Sequence, residues 1–430
     1  MTKTTLTQII SDPSCMDDYD PNAMSVTQAR AFIQQFLTPV IETEQADVMH
    51  SLGRVLSADI VSPSNVPNYD NSAMDGYAFQ FADADKSLKV IGTAYAGRPF
   101  DEEVNAGECV KIMTGAMLPK GVDTVVMQER VNQTNGKITL NDSKISQGAN
   151  IRLAGEDLQL YQTVLAKGHL MRPADIGLVA SLGIGTVNVY RQLKVAFFST
   201  GDELIGVGKP LKSGQIYDSN RYTLFGMLSR LGVAIQDLGV VPDDPALLES
   251  TLLKAANEND VVITSGGVSV GEADYMKTLL IKHGQVLFWK INMKPGRPLA
   301  YGKIGTDEEN NVRATHYFGL PGNPVSAMVT FYQFVREALI ILMGSMPKPL
   351  PLFKVECTEP IKKATGRTEF QRGILYLTEG GRWKVKPLPN QGSGVLSSMS
   401  AANCFIVLDD MTGNCNSGEL VEVQLLEGLI

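Results

Sequence analysis

The 430-residue chain is poor in the residues that build metal knuckles, disulfide frameworks and basic surfaces. Its five cysteines (Cys15, Cys109, Cys357, Cys404, Cys415) are odd in number, scattered, and never spaced Cys-x-x-Cys. The four histidines (His50, His169, His283, His316) are isolated from one another. A structural zinc site and a disulfide scaffold are therefore not expected, and a reducing cytoplasmic location is. Positive charge is also short: 38 Lys and Arg against 46 Asp and Glu leave a formal charge of −8. Nonspecific nucleic-acid binding needs a basic face, so no nucleic-acid partner is expected. A small anionic ligand would have to be held by a local basic pocket. No apolar signal core opens the chain, and residues 1–24, with Asp17, Asp18 and Asp20, read as a flexible leader. The longest apolar helical run, Val325 to Met343, is interrupted by Arg336 and Glu337 and reads as too short and too charged to span a bilayer. No membrane contact is expected. A Ser-His-Asp set, a Walker loop and a well-placed Gly-x-Gly-x-x-Gly are missing too, which disfavours covalent nucleophilic catalysis and P-loop chemistry.

What is present is an ordinary globular composition, 44% hydrophobic and 20% charged, in a length that suits two to four domains. Ser25-Val-Thr-Gln28 is a capping box ahead of apolar residues at helical spacing. A short helix is predicted over 45–52 and a strand over 54–61. From about 63 to 149 the pattern is β-rich, with a hairpin signal at Asn135-Gly136. From Leu193 to about Gly344 strands and helices alternate in the doubly wound manner. Met346-Pro-Lys-Pro-Leu-Pro351 is a stiff linker, and short strands follow it, so the tail reads as a small β domain or barrel.

The stretch Val261 to Tyr275 carries the sharpest chemistry. A buried strand runs into Ser265-Gly266-Gly267, and Glu272 and Asp274 follow where a helix should begin. Backbone N–H groups converge at such a corner and the helix dipole favours an anion. Carboxylates beside the same corner call for a cation between them and the phosphate. Two further acidic loops, Ser199-Thr-Gly-Asp-Glu203 and Pro242-Asp-Asp-Pro245, end strands of the same sheet, where open α/β sheets bind ligands. Lys290 to Lys303 holds four basic residues and no acid, and the prolines around Lys294 and Arg297 restrict that loop. Leu320-Pro321-Gly-Asn323-Pro324 opens a helix with Pro324 at its first position and Asn323 as N-cap, offering a second N-terminus to an anion. Pro67 to Ala78 is too rich in small and polar residues for a core strand, and Asp75 within it suits a metal-phosphate site. Thr114 beside Gly115, and Arg152 with Asp157, are weaker candidates. The set fits metal-assisted handling of a phosphoanhydride.

Taken in order, Asp70 to Ala78, Met113-Thr-Gly-Ala116, Gly155-Glu-Asp157, Ser199 to Glu203, Ser265 to Tyr275, Lys294-Pro-Gly-Arg-Pro298 and Gly319 to Ser326 resemble the molybdopterin molybdotransferase family, which includes the C-terminal domain of gephyrin. The resemblance runs from about residue 25 to the C-terminus. It implies a multidomain α/β plus β fold: a mixed, elongated linking domain (25–62 plus 150–190), a β-rich second domain (63–149), a central doubly wound domain (191–346) and a C-terminal small β-barrel (347–430). It implies a homodimer with a composite active site, and insertion of molybdate into adenylylated molybdopterin to give molybdenum cofactor and AMP, with Mg2+. Contact with the adenylylating enzyme is a further expectation. On matching positions it implies that Asp75, Glu203, Asp243 and Asp274 hold the metal, with Thr114 beside the nucleotide or pterin phosphate. Lys290, Lys294 and Arg297 would take molybdate or phosphate oxygens, with Arg152, Asp157, Ser265, Gly266, Gly267, Pro321, Asn323, Arg372 and Ser393 completing the substrate site. Arg297 stands where some relatives carry lysine. The alternatives are the preceding adenylylation of molybdopterin, and a non-catalytic scaffold that keeps the fold.

Overall fold

The computed structural model describes residues 23–141, 144–267, 275–305 and 314–426. It separates into two compact units, one built from Gln45–Leu52 and Leu56–Asn188, the other from the chain up to Glu44, Gly53–Val55 and the chain from Val189 onward.

The first unit centres on a six-stranded sheet in the order Thr124–Met127, Gly76–Phe79, Glu108–Ile112, Leu88–Ala94, Lys137–Leu140, Val131–Thr134. Asn135 and Gly136 take φ of 51° and 74° and close the last two strands into the predicted hairpin. The expectation for residues 67–78 needs correction. Gly76–Phe79 is a buried strand paired on both sides, because Tyr77 and Phe79 supply apolar bulk to one face and Gly76 and Ala78 let the other pack closely. The helix expected at 45–52 is also absent. Thr43–Asp47 is a strand, and Val48–His50 is a single 3-10 turn capped by the Asp47 carboxylate. So short a segment does not repay the cost of helix nucleation. The strand expected over 54–61 shrinks to Ile60–Val61, paired with Thr163–Leu165.

The second unit begins with helix α1 (Val26–Gln34), whose Ser25–Gln28 capping box forms as predicted. Its sheet contains β1 (Lys194–Thr200), β2 (Ala234–Val241), β3 (Val261–Ser265), β4 (Gly284–Lys290), β5 (Pro298–Ile304) and β6 (Thr315–Leu320), in spatial order β2-β1-β3-β6-β5-β4. The pairs from β2 to β6 are parallel, and β5 runs antiparallel to both its neighbours. Alternate residues serve opposite faces, as the strand period demands. Val195, Phe197 and Ile263 face α2 (Ser219–Leu231) and α5 (Pro324–Leu342), while Ala196, Phe198 and Val262 face α3 (Pro245–Glu258) and α4 (Tyr275–His283). The sheet is thus doubly wound, and both faces are covered.

Among the described residues α5 alone is long and apolar enough to cross a membrane, with 19 residues and a mean hydropathy of 1.4. Its length and composition therefore do not exclude a span, contrary to the reading from Arg336 and Glu337. Packing decides its role: Val325, Phe331, Phe334 and Leu339 are buried in the protein core. Beyond the linker, β7 (Leu352–Cys357), β8 (Thr368–Leu377), β9 (Trp383–Pro387), β10 (Cys404–Leu408) and β11 (Leu420–Leu425) close in the order β8-β9-β7-β11-β10-β8, a five-stranded barrel. Val355, Val385, Ile406 and Val423 fill it, and Phe370 and Phe405 join the α/β core.

Candidate functional site

The carboxyl ends of β1, β3 and β6 open into a cleft of about 820 Å³ lined by Thr200, Glu203, Asp243, Ser265, Gly266 and Gly267, and by the turn Pro321-Gly322-Asn323. The chain builds it from two sharp turns. After β3, Gly266 and Gly267 adopt φ of 93° and 66°, which disfavour side chains. A Cβ on Gly266 would meet the Thr200 carbonyl oxygen at 2.7 Å, so only glycine lets these strand ends approach. The Gly266 N–H donates to the Leu320 carbonyl at 3.1 Å, joining this turn to the one after β6.

The acidic loops share the cleft wall. Of the Asp243-Asp244 pair, Asp244 caps α3 by accepting from the Leu247 N–H at 2.8 Å, which leaves Asp243 for the cleft. The Asp243 N–H donates to Asp202 Oδ1 at 3.1 Å. Partial desolvation, then the charges of Asp202 and Glu203, push the Asp243 carboxyl above the ordinary carboxylate range. The Asp243 residue is solvent-exposed, so the repulsion between neighbouring acids is the sturdier of these causes. Among the described residues no three His, Cys, Asp or Glu side chains already stand together as metal ligands. Asp274 lies outside the described residues.

Three wall residues escaped the sequence reading: Asp218, Ser219 and Asn220 at the start of α2. Asp218 is the N-cap, 2% exposed, and its Oδ1 accepts from the Arg221 N–H at 3.1 Å. An Asp-Ser-Asn run before an apolar helix is an N-cap signal, and it could have located them. Asn220 donates through Nδ2 to Ser265 Oγ and to the Gly322 carbonyl, each at 2.7 Å.

The predicted cations do not line this wall. Among the described lining residues there is no lysine or arginine, although Pro298, directly after Arg297, belongs to it. Lys290 ends β4, and Arg297 sits half-buried in the proline turn, its carbonyl accepting from the Ile291 N–H at 2.7 Å. Lys294 pairs along the barrel strand β8, with its ammonium 3.4 Å from Glu369 and its side chain 58% exposed. Arg372 is fully buried, and burial lowers its guanidinium to about 10. Its donors go to Ser398 Oγ and to the carbonyls of Asn390 and Gly392 at 3.0–3.2 Å, so it holds the 390–392 segment from within the barrel. The next residues, Ser393 and Gly394, reach the α/β domain: Gly394 lines the cleft, and the Ser393 carbonyl accepts from the Val325 N–H at 3.1 Å. That bond corrects the expectation of a free N-terminus on α5. Pro324 has no N–H, Val325 is already bonded, and Asn323 occupies the cap position without a side-chain hydrogen bond.

The first unit gathers its own candidates. Asp75 Oδ1 accepts from the Thr114 N–H at 2.7 Å and from the Thr114 hydroxyl at 2.8 Å. Those two bonds, with Lys111 nearby, hold the exposed Asp75 carboxyl below its ordinary range. Arg152 pairs opposite Asn71, and the Asp157 N–H donates to the Val66 carbonyl at 3.0 Å. The Asp70 carboxylate accepts from Ala154 N–H at 2.7 Å. Segment 66–75 is therefore laced to both 113–117 and 150–158, which places Asp75 and Thr114 in contact and Arg152 and Asp157 on the adjoining strand and turn.

Residues 24–183 match the family described as MoeA N-terminal region (domain I and II), residues 196–340 the probable molybdopterin binding domain, and residues 354–426 the MoeA C-terminal region (domain IV). The chain is 46% identical over 411 residues to the molybdopterin molybdenumtransferase of Haemophilus influenzae, covering 95% of this chain and 100% of that relative. It is 35% identical over 376 residues to the molybdopterin molybdenumtransferase of Nostoc sp., with 85% of each chain covered. The solved molybdopterin biosynthesis moeA protein from Pyrococcus horikoshii OT3 superposes with a TM-score of 0.79 at 31% identity, over 94% of this chain and 100% of that one.

Proposed function

Since the chain belongs to the family of molybdopterin molybdenumtransferases, enzymes of molybdenum cofactor biosynthesis, we propose that it inserts molybdate into adenylylated molybdopterin and releases molybdenum cofactor and AMP. The observation that carries this reading is the cleft at the strand ends, where two glycine-bearing turns meet a wall with Glu203 and Asp243. Backbone N–H groups at such a turn receive phosphate oxygens without a side-chain charge. That suits a wall without lysine or arginine among its described residues.

Mg2+ fits the acidic side by charge, because Asp202, Glu203 and Asp243 crowd one another and raise the Asp243 carboxyl. Glu203 and Asp243, with Asp274, would hold the ion together with substrate phosphate oxygens, and it would screen the negative charge of the phosphoanhydride. Thr114 keeps Asp75 ionised, so Asp75 is a charged ligand or orienting group throughout the neutral range. In the Lys294–Glu369 contact the ammonium end is exposed while the Glu369 carboxylate is buried, its other oxygen accepting from Gln371 Nε2 at 2.8 Å. Lys294, whose side chain is 58% exposed, would turn its ammonium to a molybdate or phosphate oxygen, beside Lys290 and Arg297 on the same restricted loop. We assign Arg372 the task of holding the segment before Ser393 and Gly394. The assembly we propose is a homodimer with a composite active site, to which Asp75 and Thr114 contribute. Exposed Tyr69, Met74, Met117 and Leu153 on the same laced segments support a protein partner there.

The test supplies adenylylated molybdopterin and molybdate to the purified chain and measures AMP. Molybdate-dependent release is expected, with Glu203→Ala and Asp274→Ala largely inactive; wild-type rates in both variants would refute the reading. Supplying ATP with molybdopterin instead should give no pyrophosphate, and its appearance would assign the preceding adenylylation step.

A further inference from the structure

Asn220 occupies the second position of α2 and is 8% exposed. Its amide nitrogen stands 2.7 Å from Ser265 Oγ and 2.7 Å from the Gly322 carbonyl oxygen. A carbonyl oxygen only accepts, so the NH2 group and not the amide oxygen must face these two atoms. Both N–H groups are then spent, one on each turn that forms the cleft. The turns already touch, since a Cβ on Gly322 would lie 3.9 Å from the Gly266 Cα. Ser265 Oγ accepts from Asn220, so its own hydrogen has to be donated elsewhere, and no acceptor for it is found among the described residues. Ser265 lines the cleft.

We propose that Asn220 is a positioning residue that bolts the Ser265-Gly266-Gly267 turn to the Pro321-Gly322-Asn323 turn and, by donating to Ser265, commits that hydroxyl to donate to the phosphate of the substrate nucleotide. The inference rests on the reading of the cleft as the nucleotide site. The geometry gives Asn220 no contact with the reacting atoms; it acts through Ser265 and Gly322.

The experiment is calorimetric titration of the full chain with AMP and, separately, with adenosine, in the presence of Mg2+. Loss of a hydrogen bond to a charged phosphate weakens binding by about 10- to 100-fold. Ser265→Ala and Asn220→Leu are each expected to weaken AMP by that factor. The double variant should bind no more weakly than the worse single one, because Asn220 acts on the phosphate only through the Ser265 hydroxyl that Ser265→Ala already removes. Adenosine lacks the phosphate, and its affinity should stay within about twofold in all variants. An equal loss for adenosine would reduce Asn220 to a structural role and overturn the proposal, as would additive losses or unchanged AMP affinity. If Asn220→Leu does not fold, Ser265→Ala decides alone by the same AMP-against-adenosine comparison. A wild-type chain that fails to bind AMP would overturn the reading of the reaction, and this inference with it; firm wild-type binding that neither variant weakens would overturn the inference only.

Discussion

Gly266→Ala tests the construction of the cleft at its tightest point. At φ of 93° an L-residue is strained, which costs about 1–2 kcal/mol. The added Cβ would also stand 2.7 Å from the Thr200 carbonyl, a backbone atom that cannot rotate away. Forcing a methyl into such a contact typically costs a further 1–3 kcal/mol or so. The expected destabilisation is therefore about 2–5 kcal/mol. Gly239→Ala separates the two contributions. Gly239 has φ of 80°, but a methyl added there would meet nothing within 4 Å, so strain alone should cost about 1–2 kcal/mol. Urea titration followed by tryptophan fluorescence suits the comparison, because both tryptophans, Trp289 and Trp383, belong to the larger unit. Relief of the clash should move the turn by several tenths of an ångström, and molybdate-dependent AMP release by Gly266→Ala should fall about 10- to 100-fold. Equal midpoint shifts in the two variants, or a Gly266→Ala enzyme with full activity, would refute the idea that the Thr200 carbonyl fixes glycine at this position.

Asp243→Asn should raise the melting temperature of the metal-free protein at pH 7 slightly, and it should abolish any rise produced by Mg2+. The sign follows from the raised Asp243 carboxyl: such a group favours the fold at low pH, and its contribution is lost as pH rises through the folded-state value. Removing the charge should therefore help most above that window, and a lower melting temperature at pH 7 would contradict it. Thr114→Val removes one of the two Thr114 donors to Asp75, and carbon-detected NMR titration should show the Asp75 carboxyl rising while the retained backbone N–H keeps it below the ordinary range. No movement would dissociate the hydroxyl from the shift. Arg372→Ala should cost about 3–5 kcal/mol, since three acceptors in the barrel lose a buried charged donor. Arg372→Lys should recover little of it, because an ammonium cannot span all three; full recovery on urea denaturation would show that charge alone suffices.

The alternating pattern from Leu193 to Gly344 determined the doubly wound domain, because a strand buried on both faces and the helices that cover it leave a local imprint in the order of apolar residues. The Asn135-Gly136 hairpin and the Ser25–Gln28 cap were legible for the same reason: each is fixed by neighbours within a few positions. The glycines after Val261 and the acidic strand ends pointed to the strand ends where the cleft lies, and the ordered motifs indicated the family. Other features depended on partners far along the chain. Gly76–Phe79 is buried only because strands near 110 and 126 flank it, while Gln45–Leu52 lost its helix for want of length. Two adjacent aspartates look alike in sequence, yet Asp244 caps a helix and Asp243 faces the cleft. Arg372 is turned inward by carbonyls near 390, and Asn220 joins turns 45 and 102 residues away. Which polar groups satisfy one another and which remain for a ligand is set by long-range hydrogen bonding, and only the folded chain supplies it.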